Sequence, residues 1–148
     1  MALEGDIRLF RELSVFRHLE PDALRLLAFS GEQKFYAAGD VVAMSGRLGG
    51  GTLLSAGTLA VFPGPEPEGD PVKILRAPAL VGELAMIAPI EFEGCVYACE
   101  ECAALYLPRD TFRRVLQEYP RSAARIRETL NERLSDLARL LAPLQAAH

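Results

Sequence analysis

The chain has no tryptophan, only two histidines and only three cysteines, and these scarcities exclude several classes of protein. An odd number of cysteines, none before Cys95, does not suit the disulfide framework of a small secreted fold. Neither His18 nor His148 lies in a predicted strand, so a barrel enzyme with histidine-bound iron or manganese is not expected. His18 would also have to be the histidine of any catalytic Ser-His-Asp or Cys-His arrangement. We therefore expect no catalytic residue, no metal site and no enzyme.

Long apolar runs and an excess of positive charge are also missing. No segment approaches the roughly 20 apolar residues of a transmembrane helix, and the N-terminus MALEGDIRLF lacks the basic region of a secretory signal. The formal net charge of -4 at pH 7 argues against a generally basic nucleic-acid surface. We expect a cytoplasmic protein that contacts neither a membrane nor DNA directly.

What the sequence does contain is enough apolar material for one domain. The 148 residues are 50% hydrophobic, which is normal for a compact fold with a substantial core. We expect a single domain over 1–148, with N-terminal helices at 1–32, a β-barrel at 33–109 and C-terminal helices at 110–148. In the first region Leu24 and Leu27 share a helical stripe, and Pro21 suits a first helical turn.

The middle region changes to a strand pattern. Between residues 33 and 107, short apolar or β-branched segments alternate with glycine and proline, which predicts an antiparallel β-barrel or jelly roll. The stretch 63–71 is rich in proline, glycine and acid, and we interpret it as an exposed hairpin loop. The predicted fold class is therefore mostly β with flanking helices.

The C-terminal region returns to helical spacing. The last helix has leucines separated by four, three and four residues, a pattern typical of a coiled-coil seam. These leucines are Leu130, Leu134, Leu137 and Leu141. The pattern predicts a homodimer through this helix; the alternative is a helix that packs on its own barrel.

Several short motifs follow one another in a distinctive order. They are Phe35-Tyr36-Ala37-Ala38-Gly39-Asp40-Val41-Val42, the punctuating Gly46 and Gly57, Gly82-Glu83-Leu84-Ala85, and Leu107-Pro108-Arg109 before the last helices. In this order they resemble the cyclic-nucleotide-binding domain of catabolite-activator-type transcription regulators, kinase regulatory subunits and gated channels. The resemblance covers nearly the whole chain.

The resemblance implies a phosphate-binding cassette that begins at Gly82. In that family, backbone amides of a short helix face the cyclic phosphate, a glutamate binds the ribose hydroxyl, and an arginine pairs with the phosphate. Gly82, Glu83, Leu84 and Ala85 match the first half of this cassette. With the family's common spacing, the arginine position is occupied by Phe92, and the small residues that should follow it are Glu93, Gly94 and Cys95.

The missing arginine changes the expected ligand. Loss of a charge-assisted contact costs about 1.5–3 kcal/mol, which is about tenfold or more in affinity. Glu91 and Glu93 would repel an anion if they faced it, whereas Arg47 and Arg76 are candidate substitute cations. We expect no bound cofactor, and no cyclic nucleotide bound in the usual way. The predicted ligand-binding residues are Gly82, Glu83, Leu84, Ala85, Phe92 and Cys95.

Two functions are consistent with this pattern. The first is a stand-alone regulatory domain that binds a small molecule in the barrel pocket and signals through its C-terminal helix to a partner protein. The alternative is a ligandless module for protein–protein interaction or dimerisation on the same fold. Gly82 and Glu83 favour the sensor, and Phe92 favours the alternative. No helix-turn-helix follows the last helix before His148, which agrees with the expectation of no direct DNA binding.

The pair Cys99 and Cys102 forms a Cys-x-x-Cys motif. A structural zinc site needs four ligands, and this chain lacks at least one strong candidate unless two chains share the site. We interpret the segment as a β-hairpin with Glu100 and Glu101 at its tip and the two cysteines facing each other across it. A metal or redox role is the alternative.

Overall fold

A computed structural model describes residues 7–8, 10–13, 15–17 and 19–146, with side chains described through residue 132 and at residue 135. Residues 7–8 and 10–12 are helical. Three further helices are α1 (Pro21–Ser30), α2 (Arg109–Glu118) and α3 (Pro120–Ala146). The strands are β1 (Glu32–Tyr36), β2 (Val41–Ala43), β3 (Gly46–Leu48), β4 (Gly50–Ala56), β5 (Thr58–Phe62), β6 (Lys73–Arg76), β7 (Ala79–Val81), β8 (Ile90–Phe92), β9 (Cys95–Ala98) and β10 (Cys102–Pro108).

Within the described chain, the strands form two four-stranded antiparallel sheets and one two-stranded sheet. The first sheet has the order β1-β10-β4-β7, the second has the order β2-β9-β5-β6, and β3 pairs with β8. The predicted antiparallel jelly roll with flanking helices is confirmed, and the sheets do not close into a barrel. Two facing sheets leave an interior between them, and the candidate site lies there.

The helices cover the outer face of the first sheet. Leu53, Leu105 and Leu107 project from this face into a core that also contains the buried Phe16 and Phe112. The rings of Phe16 and Phe112 meet edge to face with centroids 6.3 Å apart, a favourable arrangement for aromatic pairs. This core therefore joins the N-terminal helical residues, the sheet and α2.

α1 begins where the sequence predicted. Pro21 opens the helix, where its missing N–H costs nothing, and Leu24 and Leu27 are fully buried. The backbone N–H of Glu20 donates to Ser122 Oγ at 3.1 Å. This bond ties the start of α1 to the first turn of α3.

The last helix is confirmed, and its first seam leucine packs inside its own chain. Leu130 and Ile126 are buried in the core beneath the helices. Leu134, Leu137 and Leu141 lie outside the described side chains. The homodimer through this helix stays a prediction.

The predicted hairpin around 63–71 is confirmed. β5 and β6 pair antiparallel, with Thr58 opposite Arg76 and Val61 opposite Lys73. The connecting residues 65–71 are exposed. An acidic, proline-rich stretch has few apolar side chains to bury, which explains its place at the surface.

The predicted hairpin around Cys99 and Cys102 is wrong. β9 pairs with β2 and β5 in the second sheet, whereas β10 pairs with β1 and β4 in the first. The segment between them crosses from one sheet to the other. Cys99 is exposed, Cys102 is buried with its thiol near the carbonyl oxygens of Thr58 and Glu100, and both are free thiols.

Candidate functional site

The interior of the jelly roll is packed at one end and open at the other. Leu54, Leu59, Val96, Ala98 and Cys102 fill the packed end with a second apolar core. At the open end the first sheet offers a row in which Thr52 lies opposite both Tyr106 and Val81. Since paired residues of antiparallel strands share a face, all three point toward the interior. Polar and small side chains replace apolar ones here and leave a space.

This space is a cavity of about 420 Å³. Its volume lies within the range of about 300–1,000 Å³ that is usual for small-molecule sites. Its polar wall consists of Lys34, Tyr36, Ser45, Arg47, Thr52 and Tyr106. The lining residues therefore include two cations and no acid.

The two tyrosines of the cavity influence each other. Burial raises the pKa of Tyr36, and the neighbouring Tyr106 raises it further. Burial and the Glu32 carboxylate raise the pKa of Tyr106, while Arg109 lowers it. Both phenols therefore stay protonated at neutral pH and can donate a hydrogen bond.

The two cations each have an acidic neighbour near the surface. Lys34 Nζ lies 4.0 Å from a carboxylate oxygen of Glu32, and Arg47 Nε lies 3.3 Å from Glu91 Oε1. All four side chains are about half exposed or more, so these ion pairs contribute little to stability. Glu91 thus pairs with Arg47 at the surface. The other candidate cation, Arg76, is exposed at the end of β6 and is not among the residues that line the cavity.

The segment that resembles the cassette forms a short turn beside this cavity. A 3-10 helix at Leu84–Met86 follows Gly82 and Glu83, where the resemblance implies a short helix. Gly82 has a φ of +75°, which favours glycine, and a Cβ there would lie 3.1 Å from the carbonyl oxygen of Gly50. The backbone N–H of Ala85 donates to Gly82 and that of Met86 to Glu83, at 3.0 and 3.3 Å. These two amides are engaged within the turn.

Two arginines of α2 fasten the turn to the helix. Arg109 Nε donates to the carbonyl oxygen of Ala85 at 2.9 Å, and Arg113 donates through Nη2 to that of Ile87 at 3.0 Å. Arg109 Nη2 also donates to the carbonyl oxygen of Leu48. The backbone N–H of Arg109 donates to Gly49 at 2.8 Å. One residue thus joins the cavity wall, the turn and the start of α2.

The other predicted site residues lie on different strands. Phe92 is on β8 opposite Gly46 of β3, half-buried against the second core. Cys95 is buried on β9 opposite Phe62, and both burial and Glu66 raise the pKa of its thiol. The structure brings Gly82, Glu83, Leu84 and Ala85 together in the turn. None of the six predicted residues is among those that line the 420 Å³ cavity.

A second, larger space lies on the far side of the turn. It has a volume of about 560 Å³ between α2 and α3, and its lining includes Ile87, Arg113, Leu116 and Ile126. Ile87 is the residue at the C-terminal end of the turn. A shift of the turn would therefore change this groove.

Sequence reasoning missed Lys34, Tyr36 and Tyr106 as site residues. Lys34 and Tyr36 are two residues apart on β1, which indicates that their side chains lie on the same face of the strand. Tyr106 lies 70 residues later, and only the register of β1 against β10 places it next to them. Arg109 was noticed as part of a motif, but its contacts depend on the fold.

Comparison with known proteins identifies the fold. No protein-family model matches the chain, and no curated protein matches it significantly by sequence. Among solved structures, the cyclic nucleotide-binding-like protein from Brucella abortus bv. 1 str. 9-941 is 27% identical, with a TM-score of 0.69 over 76% of this chain and 97% of that one. The fold is that of a cyclic-nucleotide-binding domain.

Other structures with this fold come from regulators. The N-terminal domain of a transcriptional regulator from Streptomyces coelicolor A3(2) is 19% identical, with a TM-score of 0.79 over 90% of this chain and 94% of that one. The catabolite activator protein of Thermus thermophilus is 22% identical, with a TM-score of 0.71 over 90% of this chain and 63% of that one. These structures confirm the fold that the motifs indicated.

Among the described residues, none of the helices has the length and apolar character needed to cross a membrane. In the same part of the chain, no three histidine, cysteine, aspartate or glutamate side chains cluster in a way that could hold a metal ion. His18 and His148 lie outside the described residues.

Proposed function

We propose that the domain is a sensor that binds a small molecule in the jelly-roll cavity and transmits binding to its C-terminal helices. The observation that carries this proposal is the position of Arg109. Its backbone and side chain contact the carbonyl groups of Leu48 and Gly49, which line the cavity, and of Ala85 in the turn. The fold alone is compatible with many functions, and this link is what supports a sensor.

The link works mechanically because Arg109 is also the first residue of α2. A ligand that displaces the wall at Leu48 and Gly49 must stretch or shift the bonds of Arg109. Ala85 is bound to the same guanidinium, so the turn would move with the wall. α2 packs on α3 through the core that contains Phe112 and Ile126. The expected output is therefore a changed position or exposure of the C-terminal helices, which a partner protein or a second copy would recognise.

The ligand is not expected to be a cyclic nucleotide bound in the usual way. The position that corresponds to the phosphate-pairing arginine is Phe92, and its ring packs with the second core. Ala85 and Met86, whose amides would be near an anion in a working cassette, use them inside the turn. We propose that Gly82, Glu83, Leu84 and Ala85 serve here as the moving element that reports on the cavity.

A ligand screen with two readouts tests this function. The protein would be heated with individual metabolites, including cyclic AMP and cyclic GMP, because a ligand that binds only the folded state raises the melting temperature. Each stabilising compound would then be examined by hydrogen exchange. We expect slower or faster amide exchange in 82–88 and 109–130 on binding. Compounds that bind without any change in these segments would contradict the sensor, and so would a broad library with no stabilising compound.

A substitution at Phe92 tests the reason for excluding the usual ligand. We expect Phe92→Arg to bind cyclic AMP about tenfold or more tighter than Phe92→Met, because a charge-assisted contact with the phosphate is worth about 1.5–3 kcal/mol. Isothermal titration of both variants and the wild type measures this. Methionine is the matched control because it keeps an apolar side chain of similar size.

The double variant Phe92→Arg with Glu83→Ala shows where the nucleotide binds. If the cassette is used, the alanine removes the contact with the ribose and the gained affinity falls again. Equal affinities of Phe92→Arg and Phe92→Met would show that position 92 does not face the nucleotide phosphate.

A further inference from the structure

We propose that the cavity takes an organic carboxylate whose acid group is held by Lys34, Tyr36 and Tyr106, on the wall formed by β1 and β10. This inference rests on the proposed sensor function and names its ligand class. It places the acid group away from the turn at Leu84–Met86, where the resemblance would place the phosphate.

The strand register puts the three donors on one wall. Lys34 and Tyr36 are two residues apart on β1, so their side chains leave the same face of the strand. Lys34 pairs with Ala104 and Tyr36 with Cys102, while Tyr106 is two residues beyond Ala104 on β10. All three of these side chains line the 420 Å³ cavity.

The three groups have complementary chemistry for a carboxylate. Lys34 supplies a compact positive charge, and two protonated phenols supply neutral donors. Within the described chain, neither hydroxyl has a hydrogen-bond partner of its own, so each can donate to a ligand oxygen. The Tyr106 hydroxyl lies against Gly49, where an added Cβ would come within 2.8 Å of it.

The charges around the site favour an anion in the cavity. Glu32 is the acid beside this site, because it lies opposite Tyr106 in the strand register and its carboxylate is 4.0 Å from the ammonium group of Lys34. Its side chain is nevertheless more than half exposed. Arg47, at another part of the wall, is turned toward Glu91 in an exposed pair. A buried ligand carboxylate competes well against these partners, because exposed ion pairs are weak and screened by solvent.

The rest of the cavity suits an apolar body. Val42, Ala43, Met44, Leu48 and Val81 line it together with the polar residues. A sugar or a free phosphate would leave this surface without a matching group. A medium-chain or aromatic carboxylate satisfies both parts of the wall.

Octanoate is the probe, and 1-octanol is its neutral counterpart. We expect isothermal titration to detect octanoate binding that is about tenfold tighter than that of octanol. Lys34→Met should weaken octanoate binding about tenfold, Tyr106→Phe should weaken it less, and Lys34→Arg should retain most of it. Lys73→Met is the matched control, because Lys73 is the chain's other lysine and lies on β6 outside the cavity. It should bind octanoate as the wild type does.

A direct measurement on the wild-type protein does not depend on whether the variants fold. Wild-type protein labelled with ¹³C-lysine has two lysine Cε signals, and octanoate should shift that of Lys34 and leave that of Lys73 unchanged. Octanoate that binds without shifting the Lys34 signal, or equally to Lys34→Met, would overturn the inference. So would tighter binding of octanol.

The inference and the sensor function can fail separately. If octanoate does not bind but a different compound stabilises the protein and alters exchange in 109–130, only the carboxylate assignment is lost. If octanoate binds at Lys34 but exchange in these helices stays the same, the carboxylate site stands and the sensor function is wrong.

Discussion

We expect Phe112→Ala to lower the free energy of unfolding by about 3–5 kcal/mol, the usual cost of removing a buried phenylalanine. Phe112 is completely buried on the inner side of α2 and contacts the ring of Phe16 edge to face. Its removal leaves a cavity between the N-terminal helical residues, the first sheet and α2. Urea unfolding followed by circular dichroism measures the change from the midpoint and slope.

The control for this variant is Phe35→Ala. Phe35 is 77% exposed on β1, so its truncation should change stability by less than about 0.5 kcal/mol. A loss for Phe112→Ala no larger than that of Phe35→Ala would contradict the packing of α2 on the core. Because α2 carries Arg109, loss of this packing would also disconnect the cavity from the C-terminal helices.

Much of the fold could be predicted from local patterns. The glycine and proline residues between apolar segments indicated where most strands lie, and Pro21 indicated the start of α1. What local patterns do not contain is which strands pair. The short link from β9 to β10 was interpreted as a hairpin, since a two-residue tip between apolar segments usually is one. It crosses between sheets instead, and only the long-range pairs of β9 with β5 and of β10 with β4 decide this.

The candidate site could be predicted only in part, because strand pairing also decides which side chains lie in it. Gly82 and Glu83 could be found because their motif is continuous in sequence. Lys34 and Tyr106 could not be found together, since a shift of one residue in the register of β1 would send Lys34 to the opposite face. The cavity also depends on small residues in its wall, such as Gly49 and Gly50, and the sequence alone does not show which small residues border a space.

Arg109 is the residue whose substitution should have the largest effect on the link between cavity and helices. A cation at the first position of a helix is unfavourable against the helix dipole, so a specific contact must explain its place. That contact is the pair of side-chain bonds to the carbonyl oxygens of Leu48 and Ala85. We expect Arg109→Ala to lower the free energy of unfolding by about 2–4 kcal/mol, because two partly buried charge-assisted bonds are lost together.

The same substitution should loosen the turn before it unfolds the protein. In Arg109→Ala, amide exchange measured by mass spectrometry should become faster in 82–88, while exchange in the packed β5 and β9 stays close to that of the wild type. Arg47→Ala is the matched control, because Arg47 is another arginine beside the cavity but takes part only in a largely exposed ion pair, so its removal should cost less than about 1 kcal/mol. Arg109→Lys keeps the charge, yet a single ammonium group lacks the planar fork that reaches two carbonyl groups, so it should restore only part of the protection. If Arg109→Ala left exchange in 82–88 unchanged, the turn would be held by Arg113 and its own packing, and the transmission of ligand binding through Arg109 would be wrong.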